Sequence, residues 1–294
     1  MPSSQSNRLI GIDFAYALAL MGCVVFCFAY TIPDKVQNAL SHTSHIVAMD
    51  IFPALFFFLN GMTVTLTMRD RRISNRKLLS YLSKRGSVLL LLGLACCSIW
   101  PMNIFIASGI FYVMSPVLGQ WNNILLRVVT FVVLALGLLL LLMDTHTSTS
   151  YEFPNFNNGE FLGVCGFFLY NGYFSVIPWF VFFCGGLLHG RTDVKPKGWM
   201  PPSSFIGLGL ILASFIIQYY SRKFEMITDD VLKSDFYILN VRLMMPAFVV
   251  FALGSCILLV NSFIYFFRKV QHAHVVKFVQ TMSSQKYSVL FFHM

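Results

Sequence analysis

The stretch His42-Thr-Ser-His-Ile-Val-Ala-Met-Asp-Ile-Phe-Pro-Ala-Leu-Phe-Phe-Phe-Leu-Asn-Gly61 changes from polar to strongly apolar within a few residues. It begins with two histidines, His42 and His45, and its apolar part carries a single carboxylate, Asp50. A charged side chain inside a membrane segment costs about 3 kcal/mol unless it is paired or hydrated, so Asp50 is a candidate functional residue. The alternative is that Asp50 caps a helix whose first turn contains Pro53.

The composition places this stretch in a membrane protein. The chain has 294 residues, of which 57% are hydrophobic and only 11% are charged. Soluble domains contain about 25% charged residues, and apolar stretches of about 20 residues recur here along the whole length. We therefore predict an all-α, polytopic integral membrane bundle that forms a single domain over residues 1–294. Its location is a bacterial inner membrane or a eukaryotic endomembrane.

Hydropathy divides the chain into eight predicted spans and a ninth, incomplete one. The eight lie near 10–32, 47–68, 86–100, 102–119, 124–143, 173–190, 204–220 and 241–267. The ninth starts at Tyr287 and is too short to cross, because the sequence ends at Met294. Residues 161–171 are apolar but also too short, so we expect an interfacial or re-entrant segment there.

The distribution of charge predicts how the chain is oriented in the membrane and argues against nucleic-acid binding. The net charge is +9, but the excess is concentrated in short loops between apolar spans. Residues 69–85 hold seven Lys and Arg against one Asp, whereas 144–160 hold three acids and no Lys or Arg. The positive-inside rule then predicts a cytosolic N-terminus. This orientation places His42 and His45 on the outer side of the membrane.

Four motifs resemble the heparan-alpha-glucosaminide N-acetyltransferase-like membrane acyltransferases. The Asp50-Ile-Phe-Pro segment through Gly61-Met resembles the opening of that family's second span. The segment from Tyr173 through Pro178-Trp179 to Gly190-Arg191 is similar to its Pro-Trp span. The other two matches are Arg8 with Gly11-Ile12-Asp13, and Lys84-Arg85-Gly86 with Leu90–Gly93 and Trp100–Ile110. Together these matches are spread over most of the chain in the family's order.

The resemblance implies an activity and a set of site residues. Such proteins transfer an acyl group, typically acetyl from cytosolic acetyl-CoA, to a sugar hydroxyl or amine on the far side. The implied catalytic residues are His45, Asp50 and His42. Basic groups at span ends, namely Arg85, His189 and Arg191, are the candidate ligands for the phosphates of the donor. Positive-inside placement is the alternative explanation for Arg191.

Imidazole and carboxylate chemistry suits the proposed transfer. A neutral histidine can take a proton from an attacking amine or hydroxyl, or can itself accept the acyl group. A carboxylate beside it can fix the tautomer and stabilise the imidazolium. One turn of helix would bring His45 towards Asp50 if the helix starts early, near Ser44. No metal is expected, because His42 and His45 lack a third ligand at a suitable spacing.

One departure from the family pattern keeps a second function open. Tyr16-Ala17 stand where the family usually has Arg-Gly in the first span. The alternative to a membrane acyltransferase is therefore a diverged, non-catalytic relative that acts as a transporter or as a subunit of an envelope assembly. The expected partners are the bilayer and a saccharide or envelope acceptor. The assembly is left open between a monomer and a homodimer.

Overall fold

The computed structural model describes residues 10–31, 44–69, 75–96, 104–143, 166, 168–169, 174–192, 201–225 and 246–267. Eight α-helices account for nearly all of these residues, and none of the described residues lies in a β-strand. The helices are α1 (Ile10–Thr31), α2 (Ser44–Arg69), α3 (Asn75–Cys96), α4 (Ile104–Leu118), α5 (Asn123–Met143), α6 (Val176–Arg191), α7 (Ser203–Glu225) and α8 (Pro246–Phe267).

The all-helical membrane class predicted from the sequence is confirmed. Four described segments are long and apolar enough to cross a bilayer, namely Ile51–Arg69, Leu78–Ala95, Ser203–Tyr220 and Ala247–Phe267. The other four described helices are also apolar; α1 and α5 have 22 and 21 residues, whereas α4 and α6 have only 15 and 16. The count of eight to nine spans and the cytosolic N-terminus stay predictions. The partial span from Tyr287 and most of the predicted interfacial segment, residues 161–171, lie outside the described residues.

Helix α3 corrects the predicted boundary of the third span. The helix begins at Asn75, so the second half of the basic stretch 69–85 is helical rather than part of a loop. Leu78, Leu82 and Leu89 repeat at helical spacing and are buried, which gives this basic segment one apolar face. The charges concealed that face, because a hydropathy average does not separate the two sides of an amphipathic helix.

Helix α2 corrects the capping interpretation of Asp50. The helix begins at Ser44, six residues before Asp50, so Asp50 lies inside the helix and cannot be its N-cap. Pro53 also lies in the helix interior rather than in its first turn. Because proline has no N–H group, the carbonyl of Met49 receives no hydrogen bond from position 53. The helix starts near Ser44, as the His45–Asp50 hypothesis requires, but the five-residue separation places the two positions about 140° apart round the helix.

Glycines allow the helices of the bundle to approach closely. A Cβ atom at Gly61 of α2 would overlap the carbonyl oxygen of Phe183 on α6, and one at Gly186 would overlap the carbonyl oxygen of Phe58 on α2. Gly86 of α3 and Gly109 of α4 form a second reciprocal crossing of this kind. In a bilayer, helix association depends on such close packing, because lipid tails are as apolar as the side chains they contact.

Helix α2 is the centre of the core. Its run from Ala54 to Leu59 is completely buried. The Phe57 ring packs against Phe111 of α4, with the ring centroids 5.4 Å apart, and against Trp179 of α6 at 5.3 Å. The Pro-Trp span therefore packs directly on the span that carries Asp50.

Candidate functional site

Two of the three predicted catalytic residues belong to the first turns of α2. His45 and Asp50 are positions on this helix, while His42 lies outside the described residues. Five residues of α-helix rise about 7.5 Å and turn about 140°. His45 and Asp50 therefore lie on different faces of α2, unlike an i,i+4 pair. They occupy the end of the helix opposite Arg69.

A polar cluster lies in the interior of the bundle, further along the same helix. The Tyr16 hydroxyl of α1 donates to Oδ1 of Asn60 on α2 at 3.0 Å, and the Tyr112 hydroxyl of α4 donates to the same oxygen at 3.1 Å. Tyr16 also lies 2.8 Å from Oγ1 of Thr63, which donates to the carbonyl of Leu59. Tyr16, Asn60 and Tyr112 are each at most 2% exposed.

Arg85 extends the polar cluster to a fourth helix. Its guanidinium carbon lies 4.8 Å from the centroid of the Tyr112 ring, which is within cation–π distance. The cluster of Tyr16, Asn60, Thr63, Tyr112 and Arg85 thus joins α1, α2, α3 and α4. Asn60 lies ten residues after Asp50, which is about 15 Å along the helix.

The sequence did not identify Asn60, Thr63 or Tyr112 as a cluster. Single polar residues in apolar runs were the available signal, because a buried amide or hydroxyl needs a partner. In the sequence, Tyr16 stands out only as a departure from the family pattern. In the structure its hydroxyl has two polar neighbours, so the departure is accommodated by local hydrogen bonding.

The polar cluster predicts non-additive mutational effects. Tyr16→Phe and Tyr112→Phe should each lower the free energy of unfolding by about 1 kcal/mol, because each removes a buried hydrogen bond to Asn60. Thermal or denaturant unfolding in detergent measures the loss. The double variant should differ from the sum by at least about 0.5 kcal/mol, since both hydroxyls share one acceptor. Strict additivity would show that the two hydroxyls act independently.

Arg191, one of the residues predicted to bind the phosphates of acetyl-CoA, holds the turn between α4 and α5. Its Nη1 donates to the carbonyl of Trp121 at 2.7 Å and to Oδ1 of Asn123 at 2.8 Å. Its Nη2 donates to the carbonyls of Leu118 and Gly119, both at 3.2 Å. Four donated hydrogen bonds use every hydrogen on the two terminal nitrogens. The guanidinium therefore caps the C-terminal end of α4.

His189, the second residue predicted to bind the phosphates of acetyl-CoA, is buried in a polar network between α6, α7 and α8. Its ring lies 5.5 Å from the Phe58 ring of α2, and its imidazole hydrogen-bonds the side chain of Asn261. Nδ2 of Asn261 donates to the hydroxyls of Ser203 and Ser204, each at 3.0 Å. His189 is 6% exposed, so this geometry turns it towards the helix interfaces.

The three residues predicted to bind the phosphates of acetyl-CoA, namely Arg85, His189 and Arg191, thus have different neighbours in the structure. Acetyl-CoA presents phosphates that need cations and a polar arm that needs hydrogen-bonding groups. Of the three residues, Arg85 fits these needs best, because it lies beside the hydroxyls and amide of the polar cluster. The binding of donor phosphates by Arg85, His189 and Arg191 stays a prediction. Within the described residues, no group of three His, Cys, Asp or Glu side chains could hold a metal ion.

Comparison with known proteins identifies the family. The family model described as "Heparan-alpha-glucosaminide N-acetyltransferase, catalytic" matches residues 8–208. The match begins just before α1, contains α2 and α6 entirely, and ends near the start of α7. No curated protein and no solved structure matches the chain. The match covers more than half of the sequence, and the chain belongs to the family of heparan-alpha-glucosaminide N-acetyltransferase catalytic domains.

Proposed function

We propose that this chain transfers an acetyl group from cytosolic acetyl-CoA to a hydroxyl or amine of a saccharide or other envelope acceptor on the outer side of the membrane. The observation that carries the proposal is the family match over residues 8–208. That match contains the complete His42–Gly61 stretch, of which the described part, 44–61, belongs to the central helix.

His45 is the proposed catalytic base, with His42 as the second candidate. The imidazole takes the proton from the attacking hydroxyl or amine as the new bond to the acetyl carbon forms. The carbon–sulfur bond of the thioester breaks, and the proton is passed to the departing sulfur, which leaves as CoA thiol. Asp50 is positioned about 140° round the helix from His45, and its proposed role is to stabilise the imidazolium through its charge.

The donor phosphates would be bound at the opposite end of α2. Helix α3 carries Arg76, Lys77, Lys84 and Arg85 in its first half, and Lys77 and Lys84 share a face because seven residues complete nearly two turns. Lys84 is exposed. These cations suit the negatively charged phosphates of acetyl-CoA. Arg85 follows Lys84 in the helix and contacts the buried polar cluster through the ring of Tyr112.

A diverged, non-catalytic relative is the second candidate function. The observation that favours it is Tyr16, a neutral side chain at the position where the family usually carries an arginine. Such a protein would keep the fold of the family and serve as a transporter or as a subunit of an envelope assembly. It would neither cleave acetyl-CoA nor become acetylated.

Cleavage of the donor separates the two candidates. The purified full chain in detergent, given acetyl-CoA and an amine acceptor such as glucosamine, should release free CoA thiol above the rate of protein-free hydrolysis. A thiol-reactive chromophore measures the release, and heat-denatured protein is the control. No release with any of a panel of amino sugars and polysaccharide fragments, from protein that still binds acetyl-CoA, would favour the non-catalytic relative.

A further inference from the structure

The tight crossing of α3 and α4 fixes where Arg85 and Tyr112 lie relative to each other. A Cβ atom at Gly86, the residue after Arg85, would lie 2.6 Å from the amide nitrogen of Val113 and 2.8 Å from the carbonyl oxygen of Gly109. Val113 directly follows Tyr112 in α4. Backbones approach this closely only through small residues, and Arg85 and Tyr112 therefore extend from neighbouring points of one close contact.

The side chain of Tyr112 is held at both of its ends. Its Cα lies beside that crossing, and its hydroxyl donates to Oδ1 of Asn60 on α2 at 3.1 Å. Tyr112 and Asn60 are each 1% exposed, so the ring is enclosed between these two ends. A side chain that is packed and hydrogen-bonded in this way keeps one rotamer. Tyr112 therefore offers Arg85 a flat surface at a fixed place.

The guanidinium of Arg85 lies against this surface. Its central carbon is 4.8 Å from the centroid of the Tyr112 ring, and the side chain is only partly buried. Stacking on a ring engages the face of a guanidinium, whereas its five N–H groups point outwards in its plane. The ring thus restricts a long, flexible side chain without using the donors that bind two phosphate oxygens side by side.

We propose that Tyr112 is a positioning residue of the donor site, whose ring holds the Arg85 guanidinium in the orientation that binds the phosphates of acetyl-CoA. The inference rests on the proposed function for the role of Arg85 as a phosphate ligand. It goes further by assigning two separate tasks to one side chain. The ring sets the affinity for the donor, and the hydroxyl stabilises the bundle through Asn60.

Equilibrium dialysis of the detergent-purified full chain with labelled acetyl-CoA tests the two tasks separately. Tyr112→Leu removes the ring and should weaken binding about tenfold, or about 1.4 kcal/mol, which a desolvated cation–π contact can supply. Tyr112→Phe keeps the ring and should bind within about twofold of the unchanged protein, even though it loses the hydrogen bond to Asn60. Unchanged binding in Tyr112→Leu, or equal weakening in both variants, would overturn the proposal.

Two further variants show whether the ring acts through Arg85. Arg85→Gln should weaken binding at least as much as Tyr112→Leu, and adding Tyr112→Leu to it should cause no further loss, because the two side chains act as one unit. Phe111→Leu is the matched control, since Phe111 is buried beside Tyr112 on α4 and packs on Phe57 and Phe183. It should lower the midpoint of unfolding but leave the affinity unchanged. Additive losses in the double variant, unchanged binding in Arg85→Gln, or a loss of affinity in Phe111→Leu as large as in Tyr112→Leu would refute the positioning role.

Kinetics distinguish the failure of this inference from the failure of the proposed transfer. In a chain that transfers acetyl groups, Tyr112→Leu should raise the KM for acetyl-CoA about tenfold with little change in kcat. Partial unfolding would instead lower the active fraction, and a fall in kcat at unchanged KM would overturn the role of Tyr112 while the transfer stands. If the chain releases no CoA thiol but its variants bind acetyl-CoA in the expected order, the transfer fails and the role of Tyr112 stands. No binding of acetyl-CoA by the unchanged chain would overturn both.

Discussion

His45→Ala is expected to lower acetyl transfer by at least about 10²-fold, the usual contribution of a positioned general base. Its affinity for acetyl-CoA should stay close to that of the unchanged protein, because the proposed phosphate ligands lie at the other end of α2. Release of CoA thiol measures the rate, and equilibrium dialysis with labelled acetyl-CoA measures binding. A loss of both together would point to misfolding rather than to removal of a base.

Two companion variants sharpen this prediction. Asp50→Asn should cost less than His45→Ala, because Asp50 and His45 lie on different faces of α2 and the carboxylate acts only through its charge. His42→Ala tests the second candidate base at the same end of the stretch. If transfer continues at the original rate with His42 and His45 both changed to alanine, the histidine mechanism is wrong and the family likeness is one of fold.

Gly186→Ala is expected to have the largest effect on stability. A Cβ atom at this position overlaps the carbonyl oxygen of Phe58 and would lie 2.9 Å from the amide nitrogen of Met62. Both are backbone atoms of the central helix, so the overlap can be relieved only by separating α2 from α6. Overpacking of this kind costs about 3 kcal/mol, measured as a lower midpoint of thermal unfolding in detergent.

Two other glycines, one beside Gly186 and one on α7, provide matched controls. At Gly185 the closest atom to an added Cβ is Cδ2 of Leu253 at 2.8 Å, the far end of a flexible side chain, so Gly185→Ala should cost much less. At Gly209 of α7 no atom lies within 4 Å, and Gly209→Ala should be neutral or slightly stabilising through helix propensity. Equal effects at all three positions would show that the α2–α6 crossing is not closely packed.

Much of the fold could be predicted from the sequence because bilayer thickness dictates segment length. Runs of about 20 apolar residues predicted eight segments, and each corresponds to one described helix. The failures occur where average hydropathy misleads. Helix α3 begins eleven residues earlier than predicted, because the charges on one side of it mask the apolar residues on the other. Helix α2 begins six residues before Asp50, the residue that could have been its cap.

The candidate site was less predictable because it depends on contacts between distant helices. The candidates His45 and Asp50 come from one stretch, since unusual polar residues beside an apolar run are visible locally, and their catalytic role stays a prediction. The convergence of Tyr16, Asn60 and Tyr112 comes from three spans and has no local signal. The hydrogen bonds of Arg191 to the α4–α5 turn likewise join residues about 70 positions apart, which positive-inside counting does not distinguish from a solvated charge.

The central claim is that the acetyl group passes from acetyl-CoA on one side of the membrane to an acceptor on the other. A transfer assay in sealed proteoliposomes tests it most directly. Vesicles of uniform protein orientation are prepared with glucosamine or a saccharide acceptor inside, and acetyl-labelled acetyl-CoA is added only outside. With the predicted cytosolic face outward, label should appear on the enclosed acceptor while CoA thiol accumulates outside, and His45→Ala vesicles should show neither. If the enclosed acceptor stays unlabelled in intact vesicles while CoA is released, transfer does not cross the membrane and the account is contradicted.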